Sequence, residues 1–96
     1  MDYKMKTTFW QDFSIAELFG KDAVIDTFNR AFAEWKTNTE YVTELAIVTN
    51  WKCWQHYRKE NHMYGELYHD LYYKVRGWCI ENLKGNDLAY YLRETD

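Results

Sequence analysis

The stretch Thr39 to Tyr57, TEYVTELAIVTNWKCWQHY, constrains this chain more than any other. Its spacing predicts one helix of about five turns, apolar on two sides. Val42, Leu45, Ala46, Cys53 and Tyr57 form a broad stripe. Ile47, Trp51 and Trp54, at i, i+4 and i+7, form a second stripe on roughly the opposite side. An ordinary amphipathic helix needs one apolar cover. This one needs two, supplied by its own chain or by a partner.

The flanking segments supply the first cover. Asp22 to Lys36 predicts a helix with a single stripe of Val24, Phe28, Ala31, Phe32 and Trp35. His62 to Lys84 predicts another, with Tyr64, Leu67, Tyr68, Leu71, Val75, Trp78 and Cys79 along one face. Gly65 and Gly77 each weigh against that helix by up to about 1 kcal/mol without interrupting the stripe. Thr37 with Glu40, or Asn38 in competition, caps the central helix, and Asn61 caps the next one. A single kinked helix through Arg58 to Asn61 is the alternative to two separate ones. Gly85 is a stop signal, after which Asn86 or Asp87 caps a short last helix, Leu88 to Arg93.

Near the start, Ser14 and Glu17 read as an S-x-x-E capping box, with Phe13 and Leu18 as its hydrophobic staple and Gly20 as the stop. This predicts a short helix, Ile15 to Phe19, whose aromatic lead of Phe9, Trp10 and Phe13 plugs one end of a bundle. Residues 1–8 carry no periodicity and read as a flexible tail. No segment alternates strictly, and the chain contains no proline to break a helix. The expected fold is all-α: a single domain over residues 9–96, a small bundle of three longer helices with a short helix at each end.

Composition narrows the function classes. Ninety-six residues bury a core without staples, and a net charge of −3 with scattered basic residues argues against a strong nucleic-acid footprint. Lys52, Arg58, Lys59, Lys74 and Arg76 are interleaved with Glu60, Asp70 and Glu81. No apolar run approaches the roughly 20 residues of a membrane span, and the first residues lack a signal-peptide apolar region. Two cysteines without an export signal suggest reduced thiols and a cytoplasmic protein. Aromatic residues make up 20% of the chain, more than such a core needs, and surplus Tyr and Trp commonly mark interfaces.

Catalytic and metal-binding patterns are weak. In an antiparallel hairpin turning near Glu60, Cys53 and Cys79 are offset by on the order of 16 Å, too far for a disulfide, so both read as small buried hydrophobes. Cys53 and His56 lack a visible orienting group, and Ser14, the only serine, is assigned as a cap. Glu66 and His69 show the Glu-x-x-His spacing of di-iron bundles, but once rather than twice. His62 with Glu66 is at best an adventitious metal contact. No cofactor and no catalytic residue are expected.

Surface recognition remains. Two readings of the Ile47, Trp51 and Trp54 stripe stay open: the segment Phe9, Trp10 and Phe13 covers it, or it is a homodimer seam or a docking face for another protein. Tyr73 and Ile80 form a smaller off-stripe pair, which the last helix covers or which joins the candidate protein interface. The segments FWQDFSIAELFG, NRAFAEWK, TELAIVTNWKCWQHY, ENLKG and YYLRETD resemble a family of small helical proteins carried on phages and conjugative elements of gut bacteria. The resemblance runs from Thr7 onward and brings no assigned catalytic residues. It implies a protein of a mobile element that binds and blocks a host machine, such as a CRISPR or other defence nuclease. An acidic balance is compatible with occupying a basic groove, although −3 is mild for a nucleic-acid mimic. The alternative is a small nucleic-acid-binding accessory or regulatory protein.

Overall fold

The computed structural model describes the backbone of residues 3–96 and the side chains from Phe9 onward. Five helices follow one another: α1 (Tyr3–Glu17), α2 (Lys21–Trp35), α3 (Thr39–Arg58), α4 (His62–Asn82) and α5 (Gly85–Thr95). There is no strand among the described residues, as the lack of alternation predicts. No helix among them is long and apolar enough to cross a membrane.

The long hairpin of α3 and α4 has its turn written in the sequence. Asn61 N–H bonds to the His56 carbonyl at 2.8 Å and Glu60 N–H to the Tyr57 carbonyl at 3.0 Å. That pair of bonds is a Schellman closure, which places Glu60 in the left-handed region at φ 60°. Asn61 then turns its side chain around to accept the Tyr64 N–H at 3.3 Å and cap α4. The chain therefore breaks between two helices instead of kinking one. At the start of α3, Asn38 rather than Thr37 is the cap, accepting from the Tyr41 N–H at 3.1 Å.

α3 is the one helix among the described residues that packs on all the others. Val42, Leu45 and Ala46 are fully buried and Val48 and Cys53 nearly so, facing Tyr68, Val75 and Cys79 of α4, which are also fully buried. α2 inserts Val24 and Phe28 into the same core. Phe28 stacks on Phe32 (5.6 Å between centroids), and Phe32 meets Trp78 edge-on at 6.0 Å. Gly65 lets the hairpin close. A Cβ there would sit 2.9 Å from the Tyr57 ring, so the glycine serves a close approach between α3 and α4 and is more than a helix penalty.

The N-terminal region departs from the expectation. α1 runs for 15 residues and ends at Glu17, where a short helix Ile15 to Phe19 was expected. Ser14 lies mid-helix and caps nothing, and Leu18 is 82% exposed, so neither the capping box nor the staple forms. The stripe Phe9, Phe13 and Ala16, at i, i+4 and i+7, is buried and holds the longer helix in place. Of the segment 1–8 read as a flexible tail, Met1 and Asp2 lie outside the described residues, and the backbone is helical from Tyr3. Gly20, at φ 120°, adopts a backbone that other residues avoid and joins α1 to α2. The bundle thus has two helices of about 20 residues, two of 15 and a last one of 11.

The turn and the close approach give opposite expectations. Glu60→Gly relieves the left-handed residue and should raise stability by about 1 kcal/mol, a melting shift of roughly 4–8 °C in a domain of this size. Gly65→Ala should lower stability by about 1–3 kcal/mol despite its better helix propensity. Thermal and urea denaturation measure both. Shifts of the same sign would refute this account of the hairpin.

Candidate docking face and the polar clasp beneath it

Glu17, Ser14 and Trp10 lie at i, i−3 and i−7 on α1, next to its apolar stripe, and point toward α3 and α4. Three donors from those helices converge on one oxygen, Glu17 Oε2. His56 Nε2 is 3.0 Å away, Lys52 Nζ 3.3 Å, and the Tyr68 hydroxyl donates at 2.5 Å. Lys52 Nζ also donates to Ser14 Oγ at 2.9 Å and lies 4.4 Å from the centroid of the Trp10 ring. The Lys52 side chain is only 3% exposed. Burying an ion costs several kcal/mol, and it persists only when hydrogen bonds and an opposite charge meet it. Here the carboxylate, the hydroxyl and the indole face supply those contacts.

Burial alone would raise the Glu17 carboxyl, but the hydrogen bonds from Tyr68 and His56 and the charge of Lys52 outweigh it and hold the group below its ordinary range. Burial, and then the facing carboxylate, push the Tyr68 hydroxyl far above the usual phenol range. The His56 ring stacks nearly parallel on Tyr68, with centroids 5.6 Å apart. With a carboxylate on Nε2, the ring donates there, and Nδ1 is left buried without a hydrogen-bond partner. The arrangement ties α1 to α3 and α4. An ammonium held by a carboxylate has no free lone pair, so Lys52 cannot activate Ser14 as a nucleophile.

The second stripe of α3 lies outside this clasp. Trp51 and Trp54 are 62% and 58% exposed, and Ile47 between them and the helix start is half-buried. Phe9 and Phe13 turn into the core, so they do not cover the stripe. Trp10 reaches only its edge, where it borders a cleft with Trp51, Trp54, Arg58 and Lys59. On the other side, Ile47 and Trp51 border a pocket with Tyr72, Glu94 and Asp96. An indole side chain presents some 150–250 Å² of mostly apolar surface, so covering both would contribute on the order of 5 kcal/mol. The fold forgoes that stabilisation.

Tyr73 and Ile80 do not join this face. They sit on α4, 53% and 45% exposed, and border neither the cleft nor the pocket. The last helix does not cover them either, because it turns Tyr91 into the core, with Leu88 and Leu92 packed at its edge. Tyr73 instead rests against His69 and Tyr72 (centroids 4.8 and 5.1 Å apart). A further apolar knuckle, Ile15, Leu18 and Phe19, is exposed at the end of α1. Sequence reasoning missed it by placing Leu18 in a staple.

Other chemistry-bearing residues are placed apart. Cys53 and Cys79 are both buried free thiols; burial pushes Cys53 up and Cys79 up to about 12. His56, paired with Cys53 in one sequence reading, is engaged by Glu17. His69 is exposed and lies 3.7 Å from Asp70. Among the described residues, no three His, Cys, Asp or Glu side chains are placed to hold a metal ion.

The clasp has a pH signature. Because the folded Glu17 lies below its ordinary value of 4.5, its stabilisation is full above about pH 4.5 and is lost as pH falls through the folded value. Glu17→Gln keeps an acceptor for Tyr68 but strands the buried Lys52 charge, and should cost roughly 3 kcal/mol near neutral pH. The gap between variant and wild type should narrow as the pH drops below 4.5. Urea titrations at several pH values measure it, and a gap independent of pH would remove the ionised clasp from the account.

Comparison with protein-family models, with curated proteins and with solved structures finds no match to the chain.

Proposed function

We propose that this is a non-catalytic protein that works through protein–protein contact, with the Ile47, Trp51 and Trp54 strip as its docking face. What supports the reading is the pair of indoles, each more than half exposed, on a helix whose opposite side is core. Trp is the residue type most often found to dominate binding energy at interfaces. The uncovered strip also adjoins Trp10, which widens the apolar surface beyond a scattered single residue. In its narrower form, the protein is an inhibitor carried by a mobile element and directed at a host defence nuclease. Supporting that form are the resemblance of its segments to mobile-element proteins and a net charge of −3.

A second reading, a small nucleic-acid-binding accessory protein, draws on the same cleft. Three tryptophans beside Arg58 and Lys59, with no carboxylate on the rim, suit stacked bases and a phosphate.

Trp51→Ala, Trp54→Ala and the double variant separate these readings from a structural role. The expected outcome is a folded protein, within about 0.5 kcal/mol of wild type per exposed site, that no longer retains a stoichiometric partner in pull-downs from host lysate. Losses of about 3–5 kcal/mol, as for a buried Trp, would make the strip part of the core and end the proposal. Single-strand binding that persists at physiological salt would favour the second reading, and its disappearance there would eliminate it.

A further inference from the structure

The docking strip is dipolar. Toward the C-terminal end of α3, its cleft is bordered by Arg58 and Lys59 and by no carboxylate. Toward the N-terminal end, its pocket is bordered by Glu94 and Asp96 and by no cation. Trp51 borders both, and Trp54 borders the cleft.

The spacing along the helix is symmetric. The midpoint of Trp51 and Trp54 falls between positions 52 and 53. Arg58 lies about 8 Å beyond it in one direction and Ile47 about 8 Å in the other, at 1.5 Å per residue. A two-fold axis through that midpoint, perpendicular to α3, sets Trp51 of one copy against Trp54 of the other. The same operation exchanges positions 47 and 58, and so turns the end of the strip that carries Arg58 toward the end that carries Glu94 and Asp96 in the other copy. An isologous interface requires this kind of self-complementary patch. From this we infer that the strip is the seam of an antiparallel homodimer, α3 against α3. The inference rests on reading the strip as a protein-docking face, and it names the occupant as a second copy of this chain.

Charge decides between occupants. A nucleic-acid strand leaving the cleft along the strip would run into Glu94 and Asp96, whereas an antiparallel copy meets the opposite charge at each end. Glu94 already touches Arg93 at 3.5 Å, but that pair is solvent-exposed and yields readily to a better partner. The Arg58 stem also offers methylenes to the half-buried Ile47 of the facing copy.

The test is a charge swap on the full chain, read by sedimentation equilibrium and light scattering over a wide concentration range. Wild type should shift with concentration from 11.8 kDa toward twice that mass. Arg58→Glu and Glu94→Arg, each placing like charges at both ends of the seam, should weaken association at least about tenfold. The double variant Arg58→Glu with Glu94→Arg restores the pairing and should return to within about threefold of wild type, since the effect is a coupling between the two sites. Both changes lie on exposed side chains and leave the core intact. A wild type that is monomeric throughout, or a double variant no tighter than the singles, overturns the homodimer. A monomer that captures a different protein through Trp51 overturns the homodimer while the docking reading stands. A monomer that binds a labelled single-stranded oligonucleotide through Trp51 overturns both, and so do Trp51→Ala and Trp54→Ala variants that associate like wild type in every assay.

Discussion

One carboxylate oxygen sets the rotation of the first helix, and much else follows from that rotation. Glu17 Oε2 is met by Lys52 and His56 from α3 and by Tyr68 from α4. Rotating or sliding α1 would leave a buried ammonium without its counter-charge, a loss of several kcal/mol. Apolar packing alone tolerates neighbouring registers far more easily. With Glu17 fixed, Phe9, Phe13 and Ala16 must enter the core, and Trp10 must lie across Lys52. Phe9 and Phe13 are then used up in the core, Trp10 reaches only the edge of the strip, and Trp51 and Trp54 stay exposed. The open face is thus a consequence of the clasp.

The same dependence explains what could be read from the sequence. α2, α3 and α4 repeat their stripes over three or more turns, and their limits fall within a residue or two of expectation, down to the Asn61 cap. In the first helix two signals compete, and S-x-x-E is the shorter and commoner of them. Phe9, Phe13 and Ala16 carry the i, i+4, i+7 signal of a helix running straight through Ser14. The clasp itself left no periodic trace. Its partners stand 38, 39 and 51 residues apart, and Lys52 and His56 look like polar intrusions in an apolar arc until the facing carboxylate is known. Whether the tryptophan stripe was covered turned on that same rotation, so the residues alone left both answers open. Tyr73 and Ile80 stay exposed for a related reason: α5 spends its apolar side on α3 and the core.

α3 therefore carries three kinds of contact on one cylinder. Val42, Leu45, Ala46 and Cys53 make the dry seam with α4, and Lys52 and His56 hold α1. Trp51, Trp54 and half of Ile47 face outward. Thr49, fully buried, directs its hydroxyl to the Leu45 and Ala46 carbonyls of its own helix, so its polar atom makes no demand on the core. Each turn of the helix contributes to more than one of these surfaces, and the helix is correspondingly the hub of the fold.

The separation of those surfaces bears on how such a protein can change over generations. Side chains at positions 47, 51 and 54 touch little of what keeps the chain folded, while Lys52 and Cys53, their immediate neighbours, touch little else. A lineage can therefore rewrite the outward strip one residue at a time and keep a foldable intermediate at every step. A face built that way can change its chemistry while the scaffold stays as it is.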